Sequence, residues 1–305
     1  QLMADLPTLI CILGPTAVGK TSLSISLAKT LHAEIISADS RQMYKDISIG
    51  TAKPSTQEMA GVKHHFVDFL ELETAYSAGI FEKDVLSIIN NSSNKVWLLV
   101  GGSGLYVKSI IEGLDDLPSD LILRKSLNER LKKEGLEPLK KELQELDLVH
   151  FEAMDTSNPQ RIIRALEICL ITGQPYSDLR KGRAVERPFR SIQIVLRRER
   201  KILRERIEQR CNQMLEEGWL EECRAVFGKR ELNSLNTLGY KELFQVIDGS
   251  LEMSEARDKI ITETSRFAKR QMTWFRAQQD IHYIDMPDDQ ALDKIIHLLN
   301  SSVNQ

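Results

Sequence analysis

Eight residues carry the sharpest chemical signal in this chain of 305. Gly14, Pro15, Thr16, Ala17, Val18, Gly19, Lys20 and Thr21 fit the spacing GxxxxGK[ST]. In that pattern the glycines let backbone N–H groups turn toward phosphate oxygens. The lysine adds a point charge, the closing hydroxyl can ligate magnesium, and a following helix adds the positive end of its dipole. The loop therefore predicts a bound di- or triphosphate, and by motif alone it is also an ATP-binding signature. A kinase or ATPase would normally close a second apolar strand with a metal-binding carboxylate. Here VWLLV (96–100) runs into Gly101, Gly102, Ser103 and Gly104, with no acid. Asp39, which follows EIISA (34–38), is the acid that a strand end does offer, as a metal ligand or as a general base.

Arginines stand where the apolar pattern expects core. Leu203, Ile207, Cys211 and Met214 form one stripe of a predicted helix near 199–216, with Arg210 at its edge and Arg200 and Arg206 well outside. An inward guanidinium needs an anion, since an unpaired buried charge is costly. A phosphate suits its planar fork, and an Asp or Glu is the structural alternative. Arg161 falls in the first turn after Asn158 and Pro159, where the helix dipole disfavours a cation unless an anion is near. In the last long helix Ile260, Phe267, Ala268, Gln271 and Phe275 share one face, opposite Arg266, Lys269 and Arg270. Cations beside aromatics can hold a nucleic-acid strand, and a solvated amphipathic helix is the plainer reading. His64 and His65 have no third ligand nearby and read as structural.

Positioning these groups is the task of the elements around them. LICIL (9–13), EIISA and VWLLV are short branched apolar runs, each ending in small or polar residues, with helical periodicity between them. That alternation predicts an α/β fold with a parallel sheet flanked by helices, whose ligands bind beyond the carboxyl ends of the strands. From about 117 to 185 the texture turns helical, with patterns over 121–133 and 160–170 and breakers at Pro118, Pro138, Pro159 and Pro175. SIQIVL (191–196) then returns as a strand, followed by helices near 199–216, 220–228 and 254–278. The organisation expected is residues 1–117 as the first part of the α/β core, 118–186 as an all-helical insertion, and 187–305 as the second, mainly helical part of the core.

The net charge of −3 conceals an asymmetry. Residues 158–210 hold 14 basic and 6 acidic side chains, a local +8 inside an acidic average, which suggests a polyanion partner. The hydrophobic share of 42% suits a packed globular protein. Four scattered cysteines, with no CxxC pair, argue against a zinc site or disulfide framework and suit the cytoplasm. No apolar run approaches the roughly 18 residues that span a membrane, so no membrane role is expected.

Taken together, the motifs resemble the tRNA dimethylallyltransferase family, P-loop enzymes that prenylate adenosine 37 beside the anticodon. The matching segments are GPTAVGKT (14–21), SADSRQMY (37–44), IGTAKP (49–54), HHFVD (64–68), GGSGLY (101–106), NPQRIIRALEI (158–168), TGQP (172–175), LGYKE (238–242) and AKRQMTWFR (268–276). Ser103 stands where many members carry threonine, and keeps the hydroxyl. The resemblance implies that the loop holds dimethylallyl diphosphate, with magnesium at Thr21, and that Asp39 is the general base. It implies that Lys20, Ser103 and Arg210 stabilise the leaving diphosphate, assisted by Arg161. It further implies that the insertion grips the anticodon stem-loop, and that the enzyme acts as a monomer. The positions matching tRNA contacts are Asp39, Ser40, Arg41, Gln42, Ser103, Arg124, Gln160, Arg161, Ile162, Ile163, Arg164, Lys269, Arg270 and Gln271. A transferase acting on free adenine nucleotides is the nearest alternative. A P-loop kinase and a non-catalytic RNA-binding module are more distant ones.

Overall fold

A computed structural model of the chain describes residues 6–115, 117–180 and 185–303. Strand β1 (Thr8–Leu13) is buried at every position and leads through the phosphate loop into helix α1 (Lys20–Leu31). Then come β2 (Glu34–Ala38), the short α2 (Thr56–Met59), the two-residue β3 (His64–His65) and α3 (Ala78–Asn90). Strand β4 (Val96–Gly101) and helix α4 (Gly104–Ile111) complete this segment.

The chain divides into two compact units. One joins Gln1–Ile111 to Glu186–Gln305, and the other is Glu112–Val185. The break falls at the end of α4, six residues before the expected 117, because α4 closes the β4 crossover and the chain leaves the sheet there. Within the second unit lie α5 (Leu121–Glu134), α6 (Glu137–Leu146), α7 (Leu148–Ala153), α8 (Pro159–Thr172) and α9 (Tyr176–Leu179). Pro138 does not interrupt a helix. It sits in the first turn of α6, where its missing N–H costs nothing. This unit has a core of its own, built on Leu127, Leu139, Leu143, Ile162, Ile163 and Leu166. Glu167, fully buried, is held by the guanidiniums of Arg124 and Arg164 and by the backbone N–H of Asp120.

The chain re-enters the first unit as β5 (Arg190–Arg197), followed by α10 (Arg200–Glu216), α11 (Trp219–Val226), α12 (Tyr240–Ile247) and α13 (Met253–Arg276). Strand β6 (Ile281–Asp285) and helix α14 (Ala291–Val303) follow. The sheet has six parallel strands in the order β3-β2-β4-β1-β5-β6. Its central strands are continuous branched apolar runs because helices cover both faces. Register sets the site: Leu13 lies level with Gly101 and Val195, and Ala38 is level with the same Gly101. The loops after β1, β2, β4 and β5 therefore leave the sheet together, at the edge where ligands of open α/β sheets bind.

Candidate active site

The loop after β1 takes the shape its sequence predicts. Gly14 and Gly19 adopt φ of 145° and 115°, conformations that residues with a Cβ rarely enter, and Ala17 is left-handed at 62°. A Cβ at Gly14 would also come 2.8 Å from the Leu196 carbonyl oxygen, so β5 packs directly against the loop. Lys20 opens α1 and its Nζ donates to the carbonyls of Gly14 and Pro15, at 2.9 and 2.7 Å. The ammonium thus sits under the loop. Burial, with the nearby Arg210 charge, pushes it down to about 7, against an opposing pull from Asp39. Thr21 is exposed at the start of the same helix.

Asp39 and Ser103 are neighbours because β2 and β4 pair up to their last residues. The Ser103 hydroxyl accepts from the Ser40 N–H at 3.2 Å, and the Ser103 N–H donates to the Ala38 carbonyl at 3.4 Å. Asp39 Oδ1 caps the turn that follows it, accepting from the N–H groups of Arg41 (2.9 Å) and Gln42 (3.3 Å). Its other oxygen, Oδ2, takes no part in that cap.

Arg210 projects from α10 into this cluster. Burial and Arg206 lower its basicity, partly offset by Asp39 and Glu58. Among the described residues no carboxylate lies within ion-pair distance of it, and Asp39 and Glu58 act on it from further off. Two arginines that the pattern does not single out complete the rim. Arg206 Nε donates to the Ala17 carbonyl at 2.8 Å, and Arg198 donates to the Val18 carbonyl at 3.3 Å from Nη2. Burial lowers the basicity of Arg198, and repulsion from Arg206 adds to the effect. Neither has a carboxylate partner among the described residues. Four cations thus stand around one loop, with Asp39 acting on Lys20 and Arg210 and Glu58 acting on Arg210. Such an arrangement can hold a multiply charged anion and stabilise charge growing on it. On the β5–β6 side of the loop, a cavity of about 580 Å³ opens between Pro15, Arg198, Leu203, Met272 and Met286.

The residues expected to contact RNA differ in what they do within the protein. Ile162 and Ile163 are 0% and 1% exposed in the core of the second unit, because helical periodicity turns both inward on α8. Arg124 and Arg164 are bound to Glu167, and Arg164 also donates to the Pro118 carbonyl. Arg41 binds the carbonyls of Asn233, Ser234 and Asn236, holding the segment before α12. The Gln42 amide donates to the carbonyls of Thr51 and Ala52. Gln271 is only 9% exposed, with both ends of its amide bonded inside the protein. Gln160 and Arg161 are exposed on the first turn of α8, and Lys269 and Arg270 are exposed on α13. Phe267, expected to face inward, is 36% exposed, with the Arg270 guanidinium 5.9 Å above its ring. His64 and His65 pair at the sheet edge, where His65 Nε2 meets Glu34 at 2.6 Å, a structural use.

Comparison with known proteins decides the family. The family described as IPP transferase matches residues 42–278. The chain belongs to it. A tRNA dimethylallyltransferase of Christiangramia forsetii is 45% identical over 97% of this chain and 98% of its own length. One from Bacteroides thetaiotaomicron is 42% identical over 97% of both. The crystal structure of a tRNA isopentenylpyrophosphate transferase from Bacillus halodurans is similar with a TM-score of 0.69 at 35% identity, covering 97% of this chain and 96% of that one. A eukaryotic dimethylallyltransferase, captured in crystallographic snapshots acting on tRNA, matches with a TM-score of 0.83 at 25% identity, over 98% of this chain and 80% of that one. In this IPP transferase the parallel sheet flanked by helices is therefore framework shared with solved relatives.

Proposed function

We propose that the chain transfers a dimethylallyl group from dimethylallyl diphosphate to N6 of adenosine 37 in tRNA, releasing diphosphate. The observation that carries the proposal is the set of Lys20, Arg198 and Arg206 bonded to carbonyls of the phosphate loop, with Arg210 and Asp39 beside them. A diphosphate supplies negative charge, and the names of the relatives supply the chemistry. N6 attacks the prenyl carbon bonded to oxygen, the carbon–oxygen bond breaks, and its electron pair leaves on diphosphate. Asp39 takes the amine proton through the oxygen left out of the backbone cap. Lys20, Arg210 and the loop N–H groups meet the charge that grows on the leaving oxygen, assisted by the Ser103 hydroxyl.

Magnesium suits the site on the chemistry of its donors. Among the described residues no three acidic, cysteine or histidine side chains converge on a metal. The exposed Thr21 hydroxyl would be one ligand, with diphosphate oxygens and water as the others. Bound there, the ion would neutralise part of the diphosphate charge.

On the RNA side, the exposed Gln160 and Arg161 of the second unit are proposed to grip the anticodon stem-loop, and the exposed Lys269 and Arg270 of the first unit are proposed as further tRNA contacts. Ser40, next to Asp39, is proposed as a further tRNA contact, and adenosine 37 must leave its stack to react. All four cysteines are buried free thiols, in keeping with work in the cytoplasm, and no helix of the described residues is long and apolar enough to cross a membrane. The proposed active form is a monomer. Direct titration tests the donor half. Dimethylallyl diphosphate and inorganic diphosphate should bind competitively in the presence of magnesium. Sustained hydrolysis of ATP, without competition from dimethylallyl diphosphate, would overturn the proposal in favour of a nucleotide-hydrolysing enzyme.

A further inference from the structure

Gln271 lies 255 residues from Thr16 and 169 from Gly102, yet its side chain joins the two. Its Oε1 accepts from the Thr16 N–H at 3.0 Å, and its Nε2 donates to the Gly102 carbonyl at 3.0 Å. The first contact is with the phosphate loop after β1. The second is with the turn after β4, whose next residue, Ser103, holds Ser40 and so the start of the Asp39 turn. Sheet pairing fixes the spacing of these strands only as far as Leu13 and Gly101. Beyond that level no sheet pairing continues, and the amide of Gln271 ties Thr16 of one loop to Gly102 of the other. The fit is close, since a Cβ at Gly102 would lie 2.3 Å from Gln271 Nε2 and 2.9 Å from the Gly14 carbonyl oxygen. The next turn of α13 supports the same wall. Trp274 packs on Gly104, and Phe275 is fully buried beneath it.

We infer that Gln271 is a positioning residue, whose amide fixes the distance between the diphosphate loop and the Ser103–Asp39 side of the site. The inference rests on the prenyl-transfer reading. It replaces an RNA contact at Gln271 with a bridge inside the protein. A glutamine suits the role because a single planar group offers one acceptor and two donors, and here one of each is used between two backbones. Loss of the bridge leaves both loops folded but free to drift, and displacement of about 1 Å between reacting groups can cost about a hundredfold in rate.

The test uses the full chain with Gln271→Met, which keeps length and apolar packing but neither hydrogen bond. Single-turnover transfer from dimethylallyl diphosphate to unmodified tRNA is expected to slow about 10- to 100-fold. Affinity for tRNA should stay within about twofold, the melting temperature should move by only a few degrees, and a double substitution with Ser103→Ala should cost less than the two losses multiplied. A rate within twofold of the unaltered chain would overturn the inference. So would a raised KM for tRNA at unchanged kcat, which would make Gln271 an RNA contact. Should the methionine variant fold poorly, Gln271→Glu keeps an acceptor for Thr16 and removes the donor to Gly102. Its carboxylate, held against the loop, is expected to weaken binding of inorganic diphosphate about tenfold or more, and unchanged binding would contradict the bridge. Diphosphate titration reads the bridge without RNA, so a chain that transfers no prenyl group would fail the reaction proposal separately.

Discussion

At the scale of single residues, the site depends on which groups keep their charge. Asp39 is assigned the proton, while its cap of Arg41 and Gln42 needs only an acceptor oxygen. Asp39→Asn keeps that oxygen and removes the base. It is expected to lower kcat by about 100- to 1000-fold while diphosphate affinity stays within about threefold. An equal loss in both would mean that the residue serves the turn rather than the reaction. Lys20 gives a pH signature. In the ligand-free protein its ammonium is pushed down to about 7 by burial and Arg210. A diphosphate beside it restores the charge, so binding takes up a proton above about pH 7 and weakens as pH rises further. Below that pH the group is already charged and the dependence vanishes. Calorimetry at pH 8 in buffers of different ionisation enthalpy should find proton uptake with the natural chain and none with Lys20→Arg, whose guanidinium stays charged. Equal uptake in both would remove Lys20 as its source.

At the scale of elements, packing can be tested where one side chain holds several others. Glu167→Ala would strand the guanidiniums of Arg124 and Arg164 around a vacated, fully buried position. Both arginines are about one-third exposed, so water recovers part of the loss. The expected destabilisation is about 3 kcal/mol by urea unfolding, and less than about 1 kcal/mol would contradict this role. The same triad marks what the sequence can and cannot reveal. Strands β1, β2, β4 and β5 are legible as apolar runs bounded by small residues, and the loop after β1 by its spacing. Strand β6 is not, because IHYID lies at the sheet edge with His282, Tyr283 and Asp285 exposed, and shows no continuous apolar run. Arg206 escapes the pattern because it lies outside the apolar stripe of α10. Periodicity reports which face is buried, but the partner of Arg206 is the carbonyl of Ala17, 189 residues away. Gln271 is legible as inward-facing beside Phe275, whereas the two backbones it joins exist as neighbours only after the sheet has formed. Arg210 is readable because an inward guanidinium conflicts with a local apolar pattern.

At the scale of the whole molecule, the basic stretch of 158–210 divides among several tasks. Arg164 neutralises Glu167, Arg187 pairs with Glu82, and Arg197 pairs with Asp285. Arg198, Arg206 and Arg210 surround the phosphate loop. That leaves Arg161, Arg180, Arg200, Lys201 and Arg204, all exposed, outside these tasks. The local +8 thus serves the fold and the phosphate loop with only part of its cations. Replacing Arg161 and Lys269 together by alanine should reduce the slope of log affinity against log salt by about 0.7–0.9 for each RNA phosphate that is no longer neutralised. A slope that does not change would move the RNA interface elsewhere. The most direct test of the central claim is transfer itself. The chain is incubated with labelled dimethylallyl diphosphate, magnesium and unmodified tRNA, with AMP as the competing acceptor, and the RNA is digested to nucleosides. The account predicts label on N6 of adenosine 37, with diphosphate released in equal amount and AMP untouched. Label on AMP with none on tRNA, or no transfer to either, would contradict it.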